Sequence, residues 1–154
     1  MALESRFSTT TFAPQMFKPH GRIESSVVGN LFVQEATGPF NKEILLAMEA
    51  VHAGARQLAA SDGVWAAIFV FKQSALASPE MLNGLSKYLA TQVTRRNAST
   101  ATALVMPADV EGALLMAPLY LRAWQRAGIS CEVFSGREDA ERWLATQLGQ
   151  MPRK

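Results

Sequence analysis

The chain has 154 residues, enough for one domain with a buried core, and 49% of them are hydrophobic against 18% charged. That balance excludes a disordered chain, and a net charge of +2 is too small to point to a nucleic-acid partner. A single cysteine excludes an internal disulfide framework and suits the reducing cytoplasm, and no apolar run approaches the roughly 18 residues of a membrane helix, so no membrane insertion is expected.

Residues 1–20 are rich in Ser and Thr, contain Pro14 and Pro19, and show no clear period. They read as a flexible N-terminal arm or an added edge strand, without the basic start and apolar core of a secretory leader. Residues 21–150 read as a single domain. Ile23–Val28 and Leu31–Ala36 flank Gly29-Asn30, a two-residue loop that suits a type II′ hairpin turn, and Thr37-Gly38-Pro39 ends the second strand. The spacing of Ile44, Met48, Val51, Ala55 and Leu58 then predicts a helix from Phe40 or Asn41 to about Ala60, with His52 beside its apolar stripe.

After the turn Ser61-Asp62-Gly63, the run Val64–Phe71 is apolar on both faces, as a central strand of a parallel sheet must be. Trp65, Phe69 and Phe71 share one side of it and read as core. Lys72–Ala77 is the loop at its carboxyl end. Ser78-Pro79 opens the next helix, with Ser as the cap and Pro at the first helical position, and Leu82, Leu85, Leu89 and Val93 mark its buried face. Thr100–Met106 is a further strand. A helix follows over about Val110 to Ala127; Pro118 either kinks it or lies in the first turn of a helix that begins late, and Gly128 closes it. Ile129–Phe134 is the last strand, and Ser135 with Glu138 has capping-box spacing ahead of the helical positions Ala140, Trp143, Leu144 and Leu148.

The order ββαβαβαβα predicts an α/β fold: a mostly parallel central sheet with an N-terminal antiparallel hairpin and helices on both faces. No paired acid and base, activated nucleophile, phosphate loop or metal-ligand spacing is visible, so no catalytic residue, metal or cofactor is assigned. Cys131 lies in a strand and reads as a packed thiol, and His52 has no partner nearby in sequence.

The opening hairpin, the strand Val64–Phe71 and the closing segment CEVFSGREDAERWL together resemble the SpoIIAA-like group of the STAS superfamily, in particular bacterial STAS/SEC14-like proteins of unknown role. The resemblance spans residues 21–148 and implies a fold rather than an activity. In that superfamily, anti-sigma factor antagonists carry a phosphorylated serine at the start of the helix after a central strand. Ser78 matches in type and place, although the Asp that should precede it is Ala77 and the small Gly is replaced. Ser78, and more weakly Ser74, is therefore the candidate phospho-acceptor or anion site. SEC14-like relatives imply an apolar ligand space, for which Met81, Met106, Met116, Tyr120 and Trp124 are the candidate lining. The expectation is a non-enzymatic regulatory or protein-interaction module with an unidentified protein partner, the alternative being a small carrier of lipid-like ligands. An antiparallel edge strand offers a route to a homodimer.

Overall fold

The computed structural model describes residues 4–8, 21–52, 57 and 64–149. Six strands form one sheet in chain order: β1 (Glu4–Ser8), β2 (Arg22–Val28), β3 (Leu31–Thr37), β4 (Ala66–Lys72), β5 (Ala101–Val105) and β6 (Ser130–Phe134). The pairs β1–β2 and β2–β3 are antiparallel, and β3–β4, β4–β5 and β5–β6 are parallel. The helices are α1 (Glu43–Val51), α2 (Pro79–Thr94), α3 (Ala113–Arg126) and α4 (Arg137–Gly149). From β2 onward the order is the expected ββαβαβαβα, with β1 added as an edge strand.

Strand order dictates layer order. Four parallel strands laid side by side in sequence, each joined to the next by a right-handed crossover, put every crossover helix on the same face. Ile44 and Met48 of α1, Leu85 and Leu89 of α2, and Met116, Tyr120 and Trp124 of α3 accordingly share one core with Phe32, Phe69 and Leu104 of the sheet. Among the described residues the opposite face is covered by α4 alone, whose buried Ala140 and Leu144 pack on Val33, Ile68 and Val105. Trp143 is half-buried against Phe134, ring centroids 5.6 Å apart. Beyond the reach of α4, this face is polar: Glu35 pairs with Lys72 at 3.1 Å, and Arg22 lies 3.7 Å from Glu24. The antiparallel strand β2 tolerates such a wet face, and the Glu35–Lys72 pair extends it onto the carboxyl ends of β3 and β4.

Local chemistry explains most of the boundaries. Gly29 has φ +61 and Asn30 does not enter the left-handed region, so positive φ falls on the first turn position only, as type II′ requires. Helix α1 begins at Glu43, later than the apolar spacing suggests, because Phe40 is held in an isolated β-bridge to Ala77. The Phe40 amide donates to the Leu76 carbonyl (2.8 Å), and its own carbonyl accepts from the Ser78 amide (3.2 Å). Apart from Gln57, the far half of the expected helix, including Ala55 and Leu58, lies outside the described residues. In α2 the buried face is Met81, Leu85, Leu89 and Gln92, while Val93 is 41% exposed and Leu82 half-buried. The helix is rolled toward the 81/85/89/92 row, which leaves Leu82 and Val93 on its flanks. Helix α3 starts late, after Gly112 at φ +74, but Pro118 falls in its second turn rather than its first. Helix α4 opens at Gly136, whose carbonyl accepts from the Ala140 amide (3.3 Å), so Ser135 stands one residue outside the capping-box position.

Gly38, in a cis peptide with Pro39, passes so close to the β4–α2 loop that a Cβ there would lie 2.2 Å from the Ser74 carbonyl oxygen. That neighbour is backbone and cannot swing aside. Gly38→Ala is expected to destabilise the fold by roughly 1–3 kcal/mol in urea melts, whereas Gly136→Ala, where an added Cβ meets nothing within 4 Å, is expected to change stability little.

Candidate functional site

Two places on the three-helix side gather polar groups, one at each end of the parallel strands. At the carboxyl end, the loop Gln73–Ser78 is clamped from both sides. Its Ala75 amide donates to the Glu111 carbonyl (2.8 Å), and the Glu111 amide donates to the Gln73 carbonyl (2.9 Å). Gln73 is held at φ 64, an uncommon conformation for a residue with a side chain. The Tyr120 hydroxyl donates to the Ala75 carbonyl (2.7 Å) from inside the core, and burial pushes its pKa upward.

Both candidate phospho-acceptors lie on this loop. Ser78 is half-buried and caps α2, its Oγ accepting from the Met81 amide (3.1 Å). Ser74 is buried, and its Oγ accepts from the Leu76 amide (3.2 Å), so its hydroxyl is reached only if the loop opens. Just past the clamp, the first turn of α3 presents Leu114, 89% exposed, and Leu115, 65% exposed.

The five candidate lining residues are all buried in the core. Met81, Tyr120 and Trp124 border a space of about 20 Å³, which Met106 and Met116 do not reach. A water molecule's share of liquid volume is about 30 Å³, so this space is too small for an acyl chain. A groove of about 160 Å³ lies between α2 and α3, edged by Asn83, Ser86, Arg122 and Arg126. Arg95, Arg137 and Arg142 instead form surface ion pairs with Glu49, Glu141 and Asp139.

The second polar place is at the amino end of the parallel strands, and sequence reasoning found only its histidine. His52, at the C-cap of α1, is buried between Gln34 of β3 and Tyr88 of α2. Its Nε2 lies 3.0 Å from Gln34 Oε1, and the Tyr88 hydroxyl bonds to its Nδ1. With the amide oxygen facing it, Nε2 carries the proton and Nδ1 accepts from the tyrosine. Phe32 packs edge-on to the imidazole, centroids 5.4 Å apart. Across β2–β3, Ser25 stands opposite Gln34, and its buried Oγ has no hydrogen-bond partner among the described residues. Nearby, the hydroxyls of Thr102 and Ser99 bond at 2.8 Å. Phe32, Gln34, His52, Tyr88, Ser99 and Thr102 border a cavity of about 50 Å³, which Ser25 does not reach.

Two helix ends contribute to its wall. In α3, the Ile129 amide donates to Trp124 O (3.1 Å) and the Gly128 amide to Gln125 O (3.0 Å), the paired bonds of a Schellman motif. Helix α2 ends the same way: the Asn97 amide donates to Gln92 O (2.8 Å) and the Arg96 amide to Val93 O (3.0 Å). Each motif brings its third-from-last helical residue together with the second residue past the cap, usually as an apolar contact. In α3 that pair is Trp124 and Ile129; in α2 it is Gln92 and Asn97, and all four line the cavity. The left-handed residue is Gly128 (φ 85) in one motif and Arg96 (φ 60) in the other.

Cys131 faces the same core from β6, beside Thr102 in register, but does not border the cavity. Burial pushes its thiol above the ordinary 9.0, and the neighbouring Glu132 carboxylate adds to the shift. Such a thiol stays protonated and is a poor nucleophile. Among the described residues, no group of three or more His, Cys, Asp or Glu is placed to hold a metal, and no helix is long and apolar enough to cross a membrane. No family model matches the chain, and neither does any curated protein or solved structure.

Two measurements check this geometry. Arg96→Gly removes a side chain from a left-handed position and is expected to raise stability by about 1 kcal/mol, read as a higher urea midpoint at unchanged slope. For Cys131, the fold keeps a proton that the unfolded chain releases, so its contribution is full below about pH 9 and falls as pH rises. Cys131→Val is expected to flatten the alkaline loss of stability, by up to about 1.4 kcal/mol per pH unit, in melts compared between about pH 8 and about pH 10.5.

Proposed function

We propose that the chain is a non-enzymatic regulatory or protein-interaction module of the SpoIIAA-like kind, and that it meets its protein partner at the carboxyl end of the parallel strands. The observation that carries this reading is the pair Leu114 and Leu115, consecutive and largely exposed on a loop-and-helix platform fixed by backbone hydrogen bonds. Large apolar side chains exposed together at a rigid site favour a protein contact over solvent. Two leucines are far short of the roughly 800 Å² per partner of a stable complex, so the contact is transient and draws on neighbouring polar groups. Ser78 is the natural switch among them. A phosphate on its hydroxyl would sit at the first-turn amides of α2 and place negative charge on the same end of the molecule as the leucines.

A non-enzymatic role also accords with the state of the reactive side chains. The Cys131 thiol is buried and held protonated, and His52 has both ring nitrogens engaged. An acid–base group needs a free position within reach of a substrate proton.

The test is a photo-crosslinking amino acid placed at position 114, 115 or 145, the last on exposed Ala145 of α4, in the cell that makes the protein. Discrete adducts of one mass are expected from 114 and 115 and none from 145, with yields altered by Ser78→Asp. An adduct of twice the chain mass identifies a second copy as the partner. Equal labelling at all three positions, or none at 114 and 115, sinks the reading.

A further inference from the structure

Four exposed arginines, Arg22, Arg95, Arg137 and Arg142, lie 2.8 to 3.7 Å from a carboxylate. Arg122 and Arg126 of α3 do not: neither makes an ion pair or a hydrogen bond among the described residues. They stand four residues apart on one row of the helix, and both edge the 160 Å³ groove between α2 and α3. Like charges at that spacing repel. Helix α4 shows the ordinary remedy, with Arg137 and Arg142 each bonded to a carboxylate three or four residues away. Helix α3 contains no Asp or Glu, and the single acidic residue of α2, Glu80, lies in its first turn and does not border the groove.

The facing wall adds donors and no negative charge. From α2, Asn83 and Ser86 edge the groove, and their side chains spend no hydrogen bond on the protein among the described residues. Two guanidiniums, an amide and a hydroxyl thus converge on one space, between the apolar flanks of Leu82 and Leu119. Two positive charges call for two negative ones, and donors on both walls call for oxygens facing both ways. A carboxylate brings one charge and two oxygens. A phosphate group brings about −1.5 to −2 charges near neutral pH and three strong acceptor oxygens. The size agrees: at roughly 30 Å³ for each water-sized group, the groove takes about five, as many as the heavy atoms of a phosphate. We propose that this groove is a binding site for phosphate, free or as the monoester of a small molecule, held between Arg122 and Arg126 on one helix and Asn83 and Ser86 on the other. Arg122, Arg126 and Asn83 are exposed, so whatever the phosphate carries has room in solvent.

Inorganic phosphate and phenyl phosphate are the probes, with acetate as the single-charge control, all at one ionic strength set with chloride so that screening is constant. The readout is the arginine Nε–H resonances of the intact ¹⁵N-labelled protein. Arg137 and Arg142 belong to α4, on the opposite face of the sheet, and serve as internal controls. Phosphate is expected to shift Arg122 and Arg126 saturably in the millimolar range and to leave Arg137 and Arg142 in place, with acetate about fivefold weaker. Phenyl phosphate binding more tightly than inorganic phosphate assigns the site to an ester; otherwise the free ion is its ligand. Arg122→Gln and Arg126→Gln are each expected to weaken phosphate about fivefold, the upper end for one exposed ion pair. Both side chains are exposed, so the urea midpoint of each variant is expected to stay at the wild-type value. The proposal is overturned by any of four results: no saturable shift with either phosphate, acetate binding as tightly as phosphate, equal shifts at Arg137 and Arg142, or unchanged affinity in both variants.

Discussion

Four parallel strands laid down in chain order leave their crossover helices no choice of face. Because β3 to β6 never reverse direction across the sheet, right-handed connections stack α1, α2 and α3 on one side. Both polar places follow from this. All three crossover helices run antiparallel to the strands, so the ends of α2 and α3 meet the sheet where the strands begin, and their first turns lie where the strands finish. An open α/β sheet usually binds ligands in the crevice where strand order reverses. This sheet has no reversal among its parallel strands, and what would be a crevice at the carboxyl end is closed by the bonds among Phe40, Leu76, Ser78, Ala75 and Glu111.

The fold was legible because its signals are local and redundant. The Gly29-Asn30 turn, the doubly apolar run through β4, the Ser78-Pro79 helix start and the Gly128 stop each follow from the φ, hydrogen-bonding or burial needs of a few adjacent residues. Departures arose where a distant segment decided. Phe40 stays extended because Leu76 and Ser78 pair with it, and no periodicity within 40–60 carries that information. The roll of α2 toward Met81 and Gln92 depends likewise on which strands lie beneath it.

The amino-end site was mostly illegible for the same reason. His52 is joined to Gln34 and Tyr88 across separations of 18 and 36 residues, and none of the three stands out alone. A signal was nonetheless present. Gln34 falls between Phe32 and Ala36 on the inward parity of its strand, and Gln92 stands three residues after Leu89 on the inward row of its helix. A long polar side chain at a core position must find a partner or leave a need unmet. The inward parity of β3 and the inward row of α2 thus mark both amides in the sequence.

The covering of the second face by α4 bears on how the molecule is made. During synthesis every strand emerges before Arg137, so the sheet can assemble while Val33, Ile68 and Val105 still lack their lid. Until the ribosome adds those closing turns, the nascent protein displays a greasy plane wide enough to stick to a neighbour or to be held by a chaperone. A premature stop just ahead of that helix would make this passing hazard permanent, even though it removes no strand.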